Sequence, residues 1–182
     1  MARELIHQGR KIQVYLDQET NDDGVSFTRD LILHPGAVVI LPIIDADHIC
    51  LLKNYRFAVA DTLWEVPAGT LEPAEKLQVC AERELAEETG YRAASWHYHG
   101  FFYASPGVLN EKLHLFFAWD LEQGIARPEV DEQLTPHVVR RVDALQMVAD
   151  GTICDAKTVT ALLLWEHVYR QKLLTKLSSL PS

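Results

Sequence analysis

Residues 69–91 read GTLEPAEKLQVCAERELAEETGY, and where this stretch puts its glutamates decides what kind of fold surrounds it. Wound as a helix at about 100° per residue, Leu77, Cys80, Ala81 and Leu85 gather on one side, the side a core would cover. Glu84 and Glu88 fall on that same side, and Glu87 lies at its edge next to Cys80. An ionised carboxylate buried without a partner is costly, and two like charges one turn apart repel. Local rules of this kind break mostly at functional sites. The remedy that suits the pair is a hard divalent cation. Glu84 and Glu88, at i and i+4, present two carboxylates within reach of one ion, and oxygen-only ligation favours Mg²⁺ or Mn²⁺. The alternative is a solvated acidic face, with Arg83 pairing with Glu87 at i+4.

Working outward, the pattern predicts a helix from about Pro73 to Thr89. Pro73 suits its first turn and Gly90 caps its end. Upstream, strands are expected at 62–66, ended by Pro67-Ala68-Gly69, at 48–53, and at 37–45, where Pro42 marks a bulge or the strand's end. Strands at 11–16 and 26–33 flank the turn-rich 20–24 and read as a hairpin. Downstream, strands are expected at 95–103 and 113–119, then an acidic loop over 122–136, a strand at 137–142 and a helix at 143–149. A last helix spans 155–176, with Asp155 as N-cap and Val159, Leu162, Leu163, Tyr169 and Leu173 as an apolar stripe that Glu166 interrupts. Without regular βαβ alternation, this order predicts an α+β fold arranged as an α/β/α sandwich. An N-terminal β-hairpin extension, residues 1–36, precedes the main domain, 37–182.

The chain has 182 residues, 48% of them hydrophobic and 24% charged, enough to bury one core. A net charge of −9 argues against broad nucleic-acid binding. An anionic substrate therefore needs locally placed cations. Cys50, Cys80 and Cys154 are scattered, which fits buried reduced thiols and neither a disulfide framework nor a zinc site. The first residues lack the apolar centre of a signal peptide, and the longest apolar run, 37–44, is too short to span a bilayer. A cytoplasmic protein without membrane attachment is expected.

Gly69, Glu75, Arg83, Glu84, Leu85, Glu87, Glu88 and Gly90 stand at the spacing of the Nudix box, and the stretch resembles it closely. The one departure is Tyr91, where an aliphatic residue is usual, a change that bears on packing more than on chemistry. The resemblance extends to the ADP-ribose pyrophosphatase branch through His34-Pro35-Gly36-Ala37-Val38-Val39, Asn54-Tyr55-Arg56, Glu65-Val66-Pro67-Ala68-Gly69, and Pro106 in Ser105-Pro106-Gly107. It implies a Nudix fold, Mg²⁺ (or Mn²⁺) as cofactor, and hydrolysis of ADP-ribose to AMP and ribose 5-phosphate. It implies a homodimer too, in which the N-terminal region is exchanged between subunits. The runner-up substrate is another nucleotide sugar such as GDP-mannose. A module that binds ADP-ribose without cleaving it is the reading from a different class.

Carried over residue by residue, the resemblance implies the Ala68 carbonyl, Glu84 and Glu88 as metal anchors, with Glu87 as a further ligand or base. Arg83 would orient the glutamates and Glu75 would support the loop, flanked by Gly69 and Gly90. A glutamate on the late acidic loop would assist, Glu132 first and Glu129 second. Arg56 would reach the substrate phosphates or the box glutamates, with Glu65 as its possible ion-pair partner. Pro106 and Glu111 would line the substrate pocket. Arg29 or Phe27 would hold the adenine side. His97 and His99 read as structural or solvent-facing, and Trp64 and Trp165 as core.

Overall fold

The computed structural model describes residues 2–128, 130 and 132–169. Its strands are β1 (Ala2–Gln8), β2 (Gln13–Thr20), β3 (Ser26–Leu33), β4 (Ala37–Pro42), β5 (His48–Arg56), β6 (Asp61–Glu65) and β7 (Ala68–Thr70). The helix α1 (Leu77–Thr89) follows, then β8 (Tyr91–Tyr103), β9 (Lys112–Gln123), β10 (Leu134–Arg140), α2 (Arg141–Ala149) and α3 (Ala156–Leu164). One π turn, Trp165–Tyr169, continues α3.

The centre is a mixed sheet in the order β7-β4-β9-β8. β4 runs parallel to β9 and antiparallel to β7. Side chains alternate along both central strands, so each strand serves two cores. Val38, Ile40, Phe116 and Ala118 face α1, where they meet Cys80, Ala81, Leu85 and Tyr91. Val39, Leu41, Leu115 and Phe117 face the other way, toward Ala144 of α2, Ala161 and Leu162 of α3, and Trp165. Val38, Val39, Ile40 and Leu41 are all 0% exposed. Helices on both faces of one sheet make this the expected α/β/α sandwich. A second sheet, β10-β5-β6, stands beside it, joined by a bridge between Ile43 and Ile49.

The N-terminal region differs from the expected hairpin. β2 and β3 do pair, but β1 adds to β2 and makes a three-stranded sheet. β1 is an exposed edge of mixed polar and apolar residues, with no core periodicity to mark it. A double hydrogen bond from Arg3 to Asp17 (2.7 Å each) ties it down. Ile32 links this sheet to the main body through backbone bonds with Val108 (2.8 Å) and Asn110 (3.2 Å).

Other boundaries shift for local reasons. β7 was not anticipated, because Pro67-Ala68-Gly69 reads as a strand end, yet the chain turns back onto β4 there. α1 begins at Leu77, not at Pro73. Ala74 sits at φ 63, a left-handed conformation that no helix continues through. β10 spans Leu134–Arg140 instead of 137–142 and pairs with β5 along its length. Pro42 does end β4. Leu163, expected in the apolar stripe of the last helix, is 40% exposed. Glu166, which interrupts that stripe, bonds the Arg141 Nη1 at 2.6 Å. Leu173 and the stretch 170–176 of the expected helix lie outside the described residues.

Candidate active site

The loop after β6 and the inner face of α1 meet at a cavity of about 960 Å³. Antiparallel pairing with β4 holds Ala68 and Gly69 on one side of it. Helical periodicity brings Glu84 and Glu88 to the other, where they are 7% and 2% exposed. The two sides touch. The Ala68 N–H donates to Glu88 Oε2 at 2.9 Å. A Cβ added at Gly69 would lie 1.8 Å from Glu84 Cδ and Oε1. Only glycine leaves room for that carboxylate.

Arg83 gathers the surrounding acids. Its Nε and Nη2 donate to Glu75 at 3.0 and 3.1 Å. Its Nη1 lies 2.7 Å from Glu84 Oε1 and 3.0 Å from Glu87 Oε2. Glu75 also accepts from the Glu72 N–H at 3.1 Å, which folds the loop before α1. The Arg83 bond holds the Glu75 carboxyl down at about 2. Burial pushes Glu84 the other way, to about 7; Arg83 opposes the rise, and the charges of Glu87 and Glu132 add to it. Burial drives Glu88 well above its ordinary value, and Glu84 and Glu132 reinforce it. Two adjacent carboxylates with so little solvent hold protons unless another cation replaces them.

That chemistry is the test of fit for a metal ion. The donors are oxygens, the pair is short of positive charge, and the Gly69 cradle holds one carboxylate at the cavity wall. Among the described residues, no three His, Cys, Asp or Glu side chains converge to enclose an ion by themselves. One or two carboxylates completed by water and phosphate oxygens are how Mg²⁺ is commonly bound beside a phosphate substrate. The residues present fit such an ion.

Of the residues expected at the site, Arg56, Ala68, Gly69, Glu75, Arg83, Glu84, Glu111 and Glu132 line this one cavity. Glu88 and Glu87 are not among the lining residues: Glu88 is held by the Ala68 N–H, and Glu87 is bonded to Arg83. Glu65, 1% exposed, sits behind the wall, where Arg56 donates to both its oxygens at 2.8 and 2.6 Å. Glu111 lies 3.3 Å from His34 Nδ1. Gly90 caps α1 with φ 79. Pro106 is exposed and does not line the cavity. Nor does Arg29, whose guanidinium lies 5.0 Å over the Phe27 ring on β3. Glu129 falls outside the described residues. Trp165 is core at 3% exposure, and His97 stacks on Phe117.

Sequence reasoning missed a second wall. Asp155, Lys157 and Thr160 of the α3 N-terminus line the cavity, as do Arg10 and Lys11 of the β1–β2 turn and the aromatic Phe102 and Tyr103 of β8. Lys157 donates to Glu65 Oε2 at 2.6 Å and lies 2.9 Å from Asp155 Oδ1. One signal did exist. A lysine in the first turn opposes the helix dipole, so it needs a reason to be there.

Comparison with known proteins places this arrangement. The NUDIX domain family matches residues 33–162. An ADP-ribose pyrophosphatase of Bacillus subtilis is 37% identical over 164 residues, 89% of each chain. A methanol dehydrogenase activator of Bacillus methanolicus is 33% identical over 161 residues, 87% of each chain. The crystal structure of an ADP compounds hydrolase superposes with a TM-score of 0.82 at 22% identity, covering 99% of this chain and 95% of that one; at that identity it speaks for the fold.

Proposed function

The chain belongs to the NUDIX family, and from that premise we propose that it is a Mg²⁺-dependent pyrophosphatase that splits ADP-ribose into AMP and ribose 5-phosphate. The observation that carries the reading is the inward pair Glu84 and Glu88, 7% and 2% exposed, set against the Ala68-Gly69 loop at the cavity. The similarity to the Bacillus subtilis ADP-ribose pyrophosphatase supports the choice of substrate.

In this reading Glu84, Glu88 and the Ala68 carbonyl hold Mg²⁺, with Mn²⁺ as a substitute. The ion supplies neutralisation of the diphosphate oxygens and acidification of a nearby water. Arg83 keeps Glu84 and Glu87 in place, and Glu75 keeps Arg83 in place, so the carboxylates are fixed before substrate arrives. Glu132 takes the proton of the attacking water, and Glu87 is the second candidate. The lining position of Glu132, and its field on both inner glutamates, support that order. Arg56, which also lines the cavity, takes the diphosphate, to which a planar guanidinium is suited.

The test is product analysis with Mg²⁺. AMP is expected from ADP-ribose, faster than GMP from a matched GDP-mannose reaction. Glu88→Gln is expected to lower turnover by about 100-fold or more while the melting temperature holds. GMP released faster than AMP moves the specificity to other nucleotide sugars. No product from either, with Mg²⁺ or Mn²⁺, leaves a binding module. Near-normal turnover in the variant removes Glu88 from the metal site.

A further inference from the structure

The cavity has an electrostatic difficulty. Glu72, Glu75, Glu84, Glu111 and Glu132 all line it, yet the proposed substrate is an anion. Arg83 is spent on three glutamates. Among the described residues, the other cations of the lining are Arg10, Lys11, Arg56 and Lys157, and of these Arg56 is held bidentate by Glu65. A carboxylate bound to one guanidinium in that way cancels its charge.

The structure assigns Lys157 the task of preventing this cancellation. We propose that Lys157 is a positioning residue: it takes up the charge of buried Glu65 and so leaves Arg56 cationic toward the cavity. The proposal rests on the reading that the cavity takes a diphosphate. Glu65 is 1% exposed and bonds both cations, Arg56 by two contacts and Lys157 by one at 2.6 Å. Burial raises its carboxyl, but Arg56 and Lys157 outweigh that and hold it ionised.

The second carboxylate of the cluster is Asp155, whose Oδ1 lies 2.9 Å from Lys157 Nζ. Its Oδ2 accepts from the Thr158 N–H at 3.0 Å and from the Thr158 hydroxyl, so it answers the positive end of α3. Thr158 Oγ1 in turn accepts from the Val66 N–H at 2.9 Å, which fixes the helix start to the end of β6. Lys157 is thus carried on a rigid support with its side chain only 12% exposed. Among the described residues, the Arg56 pair uses Nε and Nη2 and leaves Nη1 over for a ligand. Arg56 and Lys157 balance Glu65 and Asp155; without Lys157, one guanidinium would face both carboxylates, and the wall would turn net negative.

The experiment measures the Kd of α,β-methylene ADP-ribose, a diphosphate analogue that resists hydrolysis, by calorimetry. KM and kcat for ADP-ribose are measured beside it. The proteins are the parent, Lys157→Met, Lys157→Arg and the double variant Glu65→Gln/Lys157→Met. Lys157→Met is expected to weaken Kd and raise KM about tenfold, with kcat within about threefold of the parent. Lys157→Arg restores both. The double variant, which has no buried carboxylate left to cancel Arg56, is expected within about threefold of the parent; it decides the matter if the single variant does not fold. Three results overturn the proposal: Kd in Lys157→Met within about twofold of the parent, an arginine variant as poor as the methionine one, or a double variant no better than the single, which would mean direct contact with substrate. A parent that neither binds nor hydrolyses removes the diphosphate reading and this inference together. A parent that binds while Lys157→Met is unchanged removes this inference alone.

Discussion

At Gly69 the missing side chain is a functional group in its own right. The space its Cβ would fill is taken by the Glu84 carboxylate, 1.8 Å from the ideal Cβ position. Gly69→Ala must displace either the loop or that carboxylate, and the loop is paired to β4. Turnover is therefore expected to fall by about 100-fold, while circular dichroism still reports a folded protein; an alanine variant with parental turnover would show that Glu84 does not need its observed position. The same scale shows what a sequence makes legible. Glu84 and Glu88 could be read as inward because helical periodicity is local, and Arg83–Glu87 because it spans one turn. The Glu65–Lys157 bond could not, since its partners are 92 positions apart and meet only through packing. Arg56 was visible, and its pairing with Glu65 was anticipated, but the lysine that shares the charge was not.

α1 is set by how it starts and stops more than by its propensity. Gly90 ends it at φ 79 and donates to the Ala86 carbonyl at 3.0 Å. The following loop then closes over the end: Gly124 donates to the Gly90 carbonyl at 2.9 Å, and Arg127 to that of Glu87 at 2.7 Å. A Cβ at Gly90 would stand 2.7 Å from the Ala126 nitrogen and 2.9 Å from the Gly124 oxygen. Gly90→Ala thus combines left-handed strain with a backbone clash and is expected to cost about 2–4 kcal/mol, measured by urea unfolding; a loss within experimental error would mean that the 124–127 loop yields freely. This stop was legible because glycine is its ordinary signal. The start was not, because Ala74 takes a left-handed φ that alanine rarely adopts, and Glu75 is drawn back to Arg83. β1 and β7 escaped notice for a related reason. Both are short or exposed, and long-range pairing defines them where hydrophobic pattern does not.

For the molecule as a whole, the two inner glutamates tie stability to pH. Their carboxyls are raised in the folded state, so folded protein holds protons that unfolded chain has released. Stability is then lost as pH rises from the unfolded carboxylate range, near 4.5, through the folded value of Glu84, about 7. Metal-free protein is expected to lose on the order of 2–3 kcal/mol across that window from Glu84 alone. A divalent cation should reverse the loss, most strongly at the alkaline end. Melting curves at pH 5 and pH 8, with and without Mg²⁺, read this directly; a melting temperature that climbs with pH in metal-free protein contradicts it. No described helix is long and apolar enough to cross a membrane.

β4 has one more consequence, in time instead of space. It is sealed on both faces and paired on both edges, so its amides should exchange with deuterium only when the entire domain opens. Amides of β1, at an exposed edge, should exchange sooner; equal rates in the two strands would refute this. Ile40 donates to the Pro67 carbonyl at 2.8 Å, and Val38 and Val39 are registered against Gly69 and Ala68. The loop that faces the glutamates is thereby fastened to the slowest-breathing strand, and the cradle for the Glu84 carboxylate keeps its shape for as long as the protein remains folded.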